Sequence, residues 1–188
     1  MIARLKWARV AALALVCFSS SAAALVLSFD PASQTVPLSG QASIDVHVGD
    51  VLPDGLGAYD FDVTFDPSIL AYNSVIDGFG LGLAVGLSAT PGVGTLTVSD
   101  FSLEVPADLL ALQTNDFLLL RVVFDTLALG TSSLGLSTVT LADAVGNLIA
   151  PVTLVGGSIT VSAAPEPGSL ALLGIALAGL AASRRRKQ

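Results

Sequence analysis

Two stretches of this chain alternate apolar and polar residues without a break. Ala42, Ile44, Val46 and Val48 alternate with Ser43, Asp45 and His47, and Tyr59, Phe61, Val63 and Phe65 alternate with Asp60, Asp62 and Thr64. A period of two sets every apolar side chain on one face of an extended strand and cannot be reconciled with the 3.6-residue period of a helix. Each stretch therefore reads as a strand with one buried face, and Tyr59, Phe61 and Phe65 fall on the inward side. Similar runs at residues 25–29, 70–76, 95–101, 117–124, 133–141 and 152–161 are divided by Gly, Pro, Asp and Asn. The pattern predicts an all-β sandwich of about eight or nine strands. Asp66 and Pro67 suit the first two positions of a type I turn, and residues 106–112, with Pro106 in the first turn, predict one short helix.

The two ends of the chain have a different character. Arg4, Lys6 and Arg9 precede an apolar run at residues 10–18, which is too short to span a bilayer but suits the core of a secretory signal. Ala22 and Ala24 are the small residues of an A-x-A site, so residues 1–24 read as a signal peptide cut by signal peptidase after Ala24. Cys17 follows Val16 rather than the small residue a lipobox needs, and reads as one more apolar residue of the discarded peptide. At the other end Pro165, Glu166 and Pro167 precede an apolar stretch, residues 168–183, that closes on Arg184, Arg185, Arg186 and Lys187 within the tail 184–188. As a transmembrane helix this stretch reaches about 24 Å, short of the roughly 30 Å of a bilayer core, which suits a transient anchor better than a permanent one. The basic cluster acts as a cytoplasmic stop, leaving the domain at residues 25–162 on the outer face.

The sequence A-P-E-P-G at residues 164–168, followed by the apolar stretch and R-R-R-K, resembles the PEP-CTERM sorting signal, here residues 163–188 with its motif at 165–167. The resemblance implies processing near the motif by an exosortase, in a Gram-negative bacterium that makes exopolysaccharide. It also implies an inner-membrane intermediate and a final place at the cell surface or in the extracellular matrix, a logic parallel to that of a GPI signal.

Between these ends lies about one domain's length of chain. The chain's only Cys and only Trp both lie in the first 24 residues, so the domain has no disulfide and relies on packing. Of fifteen acidic residues only Glu166 lies outside it, and of eight basic residues only Arg121 lies inside, giving about −13. That charge argues against nucleic acid and against anionic membrane surfaces as partners. Residues 56–75, L-G-A-Y-D-F-D-V-T-F-D-P-S-I-L followed by A-Y-N-S-V, with S-G-Q-A-S-I-D-V-H-V before them, resemble the cohesin-like family. The resemblance implies a jelly-roll β-sandwich related to certain carbohydrate-binding modules. Cohesins of cellulase assemblies bind dockerin modules through one sheet face; only the use of a sheet face for binding is carried over here.

Nucleophilic chemistry finds little support. Ser43, Asp45 and His47 share a strand face, but residues two apart on a strand are roughly 7 Å apart, beyond hydrogen-bond reach. His47 is the chain's one histidine, and no G-x-S-x-G elbow occurs. The expectation is a non-enzymatic protein. Gly78, Gly80, Gly82 and Gly86 lack a surrounding strand–loop–helix unit and read as a flexible connector rather than a nucleotide loop. Asp60, Asp62 and Asp66 are candidate calcium ligands, set against a solvated strand face, because the EF-hand loop is missing; no other cofactor is expected. Arg121 is expected to pair with a cross-strand Asp. The sequence thus predicts an exported surface or matrix protein whose sandwich binds a surface protein or serves a structural role. The alternative is a carbohydrate-binding module for exopolysaccharide, and a permanently membrane-anchored protein comes third. Sugar platforms need exposed rings, and Tyr72, Phe79 and Phe101 are the aromatics least constrained by strand phase.

Overall fold

A computed structural model describes residues 24–163. The predicted signal peptide ahead of Ala24, with Ala22, lies outside the described residues. So do Pro165, Glu166, Pro167, the predicted helix at 168–183, and Arg184, Arg185, Arg186 and Lys187. Among the described residues no helix is long and apolar enough to cross a membrane.

The chain forms strands β1 (Leu25–Asp30), β2 (Ser33–Pro37), β3 (Gln41–Gly49), β4 (Ala58–Thr64), β5 (Leu70–Asp77), β6 (Ser88–Pro91) and β7 (Thr95–Phe101), helix α1 (Pro106–Leu112), then β8 (Asp116–Thr126), β9 (Gly130–Ala142), β10 (Val152–Val155) and β11 (Gly157–Ser162). They build two mixed sheets, one in the order β10-β1-β3-β8-β5 and the other in the order β2-β11-β9-β4-β7-β6. The inward phase of each strand supplies the core. Leu27, Ile44, Phe61, Val98, Phe124 and Ile159 are completely buried, and the Phe65 and Phe124 rings pack at 5.0 Å between centroids. Tyr59, Phe61 and Phe65 all point inward, as their alternation predicts.

Eleven strands rather than eight or nine follow from two features that periodicity hides. β2 and β6 lie at opposite edges of the six-stranded sheet and bury almost nothing, so neither shows the apolar alternation of a half-buried strand. The run predicted as one strand at residues 152–161 is two strands that break at Gly156 and belong to different sheets. β1 and β2 switch sheets in the same way, and the two broken runs travel together: β10 pairs parallel to β1, and β11 parallel to β2.

The strand directions give the sandwich two poles. Leu25, the loops 50–57, 78–87 and 143–150, and α1 lie at the first pole. The turns 38–40, 65–69, 91–94 and 127–129 lie at the second. Ser162 ends there too, its carbonyl accepting the Leu38 amide at 2.9 Å.

The glycine-rich segment after Asp77, expected as a flexible connector, packs closely at Gly78 and Gly80, while a Cβ at Gly86 would meet nothing. The Gly78 amide donates to the Leu119 carbonyl at 3.0 Å, and a Cβ at Gly78 would collide with the Leu118 carbonyl, as one at Gly80 would with the Phe117 ring. Glycine is needed because backbone lies on backbone or ring. The helix expected at 106–112 is present with Pro106 in its first turn, and the Asp66 turn closes through the Ile69 amide to the Asp66 carbonyl at 3.1 Å.

Candidate docking face

The outward phase of β9-β4-β7-β6 is a flat field of small polar side chains. Register places Asp62 between Thr97 and Ser137, Asp60 between Ser99 and Thr140, and Thr64 between Thr95 and Gly135; Ser88 and Thr90 extend it beside Ser99 and Thr97. β-Branched Thr favours the extended backbone, and its short hydroxyl leaves the sheet surface level. Asp62 ties three strands together, accepting hydrogen bonds from Thr97 Oγ1 at 2.5 Å and Thr138 Oγ1 at 2.7 Å. These two donors, Thr97 first, hold its carboxyl below the usual carboxylate range. Thr138 occupies an extra residue of β9 opposite Phe61 and has φ 53°, a left-handed conformation that costs a β-branched residue energy. The bulge brings both Ser137 and Thr138 to Asp62.

At the first-pole end of this face the carpet gives way to an apolar hollow of about 270 Å³. Ala58 and Ala142 line it, Phe101 (49% exposed) and Val85 (56% exposed) stand at its edges, and Asp60, Ser88, Ser99 and Thr140 form a polar rim. Asp100, nearly buried, fixes the edges: its Oδ1 accepts the Gly86 amide at 3.0 Å and the Phe101 amide at 2.8 Å. Beneath it, Tyr59 faces Asp100 in register. The Tyr59 hydroxyl and Asp100 Oδ2 are buried without a hydrogen-bond partner among the described residues. Burial, then the Asp100 and Asp77 carboxylates, push the Tyr59 phenol well above its ordinary pKa.

The other predicted residues lie elsewhere. Asp66 sits past the end of β4, where its Oδ1 accepts the Ser68 amide at 2.9 Å and the Ser68 hydroxyl at 2.6 Å. Asp60, Asp62 and Asp66 thus have separate surroundings, and among the described residues no three His, Cys, Asp or Glu side chains converge as metal ligands would. On the opposite sheet Ser43, Asp45 and His47 share a face as expected, and their side chains form no hydrogen bond with one another: Asp45 bonds Arg121 and His47 bonds Asp116. Asp45 pairs across the ladder with Arg121, as charge complementarity predicts, with two bonds of 2.5 and 2.8 Å. The Arg121 guanidinium lowers the Asp45 pKa, and Asp45 raises that of Arg121. His47 reaches Asp116, 3.4 Å away. Of the aromatics, Phe79 is 76% exposed at the first pole and Phe101 edges the hollow, while Tyr72 packs partly against the core.

Sequence reasoning read β4's outward residues as solvated or metal-binding and missed the field they share with β6, β7 and β9. Its trace in the sequence is the hydroxyl phase Thr95, Thr97 and Ser99. Asp100, an acid on an inward phase between Val98 and the α1 approach, was the second available signal.

Comparison with solved structures settles the architecture. Its fold is that of the cohesins. The seventh ScaB type I cohesin of Pseudobacteroides cellulosolvens superimposes with a TM-score of 0.62 at 16% identity, covering 77% of this chain and 96% of that one. A chain of a type I cohesin–dockerin complex from Clostridium thermocellum does so with a TM-score of 0.62 at 15% identity, covering 74% and 99%. A non-cellulosomal cohesin from the archaeon Archaeoglobus fulgidus gives 0.57 at 13% identity, covering 74% and 91%. Residues 163–187 match the family described as the PEP-CTERM protein-sorting motif. No curated protein matches the chain in sequence.

Proposed function

We propose that this chain is an exported surface protein whose cohesin fold docks a protein partner on the outward face of β9-β4-β7-β6. The carrying observation is that face itself: a level hydroxyl and carboxylate field ending in an apolar hollow edged by Phe101 and Val85. Protein interfaces are organised in this way, with a desolvated anchor pocket beside polar ground that supplies hydrogen bonds. The partner this chemistry fits carries an apolar anchor for the hollow and Lys, Arg or hydroxyl donors for Asp60 and Asp62. One of the superimposable structures is a cohesin–dockerin complex, which supports a protein rather than a small molecule as the occupant. Sugar platforms present flat rings, and Tyr59, Phe61 and Phe65 are buried.

The sorting match at residues 163–187 supports an exosortase as the processing partner. In this reading signal peptidase acts at Ala22 and Ala24, Arg184, Arg185, Arg186 and Lys187 stay cytoplasmic, and residues 168–183 hold the chain in the inner membrane until cleavage near Pro165, Glu166 and Pro167. Two experiments test the whole. Cross-linked capture of a surface protein should be lost in Thr97→Lys/Ser99→Lys and kept in Ser28→Lys on the opposite sheet; equal capture by both variants removes the docking face. Alanine at Pro165, Glu166 and Pro167 should leave export intact and accumulate the uncut form in the inner membrane, and normal maturation of that variant rules out the exosortase.

A further inference from the structure

The domain's two termini leave from opposite poles, and the segment leading to the membrane is short. β11 ends at Ser162 on the second pole, and the apolar stretch begins at Gly168. Six residues reach at most about 20 Å when fully extended. The sandwich is longer: β8, Asp116–Thr126, spans about 35 Å at roughly 3.3 Å per residue. A tether shorter than the strand it would have to run along cannot bring the first pole to the membrane. The second pole is held within a tether's length of it.

That pole has the surface such a position calls for. Leu38, Val93, Leu127 and Leu129 are exposed there, Val93 at 91%. One network of backbone bonds joins their turns: Leu38 to Ser162, Thr126 to Gly40, Leu127 to Ile69, and Phe65 to Gly94. Among the described acids only Asp66 and Asp125 lie at this pole, and both are engaged, Asp66 by Ser68 and Asp125 by Gln41 and Asn73. Asp50, Asp54, Glu104, Asp108, Asp116 and Asp143 gather at the other pole. The charge that argues against an anionic surface for the domain as a whole is thus set mainly away from the tethered end.

We propose that, before cleavage, the second pole rests on the lipid surface through Leu38, Val93, Leu127 and Leu129, with the docking face upright and the first pole directed outward. This rests on the reading of residues 163–187 as a membrane-held segment. Apolar turn tips enter the interface and gain from leaving water, while a tether already concentrates them there, so a weak contact suffices. Cleavage removes the tether, and with it the contact.

The test uses the exported, C-terminally uncut chain, purified from membranes of a host without an exosortase; beyond the signal peptide the chain has no native cysteine. Single cysteines are introduced by Val93→Cys and Leu129→Cys at the second pole and by Leu83→Cys and Val145→Cys at the first, all at exposed positions. Each is labelled with a fluorophore, and the chain is reconstituted in phosphatidylcholine vesicles with and without nitroxide-bearing lipid. The expected result is at least twofold quenching of the labels at 93 and 129 by nitroxide lipid and none at 83 and 145. Equal quenching at both poles, or none at either while the chain floats with the vesicles, overturns the proposal and leaves the membrane-segment reading standing. Shielding of the labels at 93 and 129 from aqueous iodide without nitroxide quenching shows protein over this pole and also overturns it. A chain that does not float with the vesicles overturns the membrane-segment reading and the proposal together.

Discussion

The side-chain amide of Gln113 closes on the backbone of Leu56 from both sides. Its Oε1 accepts the Leu56 amide at 2.8 Å, and its Nε2 donates to the Leu56 carbonyl at 2.7 Å and to the Gly80 carbonyl at 3.0 Å. Gln113 is nearly buried, so the residue that ends α1 stitches three first-pole segments together. Gln113→Ala would leave two carbonyls and one amide without their partner, and each unsatisfied buried group costs about 1–3 kcal/mol. Urea unfolding should show a loss of about 3 kcal/mol or more; a loss below about 1 kcal/mol would mean that these loops find other partners.

Strand phase on β4 predicts a sharp contrast between neighbours. Phe61→Ala should cost about 3–5 kcal/mol, because the ring is completely buried and its removal opens a cavity. Asp62→Ala should cost far less, since its bonds to Thr97 and Thr138 lie on the solvent-facing side of the sheet. Equal losses in chemical denaturation would reverse the assigned phase.

Acid should destabilise the domain through a defined set of carboxylates. The pKa values of Asp45, Asp62, Asp66, Asp125 and Asp143 are all lowered in the fold, by Arg121, Thr97, Ser68, Asn73 and Asn147 respectively as the leading donors. A lowered folded pKa means that the unfolded chain binds more protons in acid, so the stabilisation is present above the unfolded value near 4 and is lost as pH falls through the folded one. Melting temperature should hold from pH 7 to about 5 and fall below about 4. A rise over that lower range would show that relief of the net negative charge outweighs these bonds.

Tyr59 predicts the opposite limb. Its raised pKa means the native state keeps a proton that the unfolded chain releases, so stability is full below about pH 10 and declines as pH climbs above it. Tyr59→Phe should flatten that decline. It also removes a buried hydroxyl with no partner among the described residues, so the variant should be more stable at pH 7 by about 1 kcal/mol in thermal unfolding. A loss of stability would indicate that the hydroxyl is satisfied in solution.

Apolar periodicity made the core legible in advance. The inward phases of β3 and β4, the short helix behind Pro106 and the pairing of Arg121 with an aspartate all depend on neighbours in sequence or on charge alone, and each is present. The edge strands β2 and β6 were not legible, because an edge strand can pair on one side while burying almost nothing. The sheet switch at Gly156 was not legible either, since a run of β-favouring residues looks the same whether it serves one sheet or two.

By itself the sequence determined the β class, the inward faces and the acidic balance of the domain, because these depend on residue type and short-range spacing. Only the tertiary structure decided that Asp60, Asp62, the β7 hydroxyls and Thr138 form one field. It alone set Phe101 and Val85 at the edges of a hollow beside that field, and placed Leu25 and Ser162 at opposite poles of the domain. These relations join residues far apart in the chain, 76 positions in the case of Asp62 and Thr138. Strand order and register create such neighbours, and both are fixed by how two whole sheets pack rather than by any local preference of the chain.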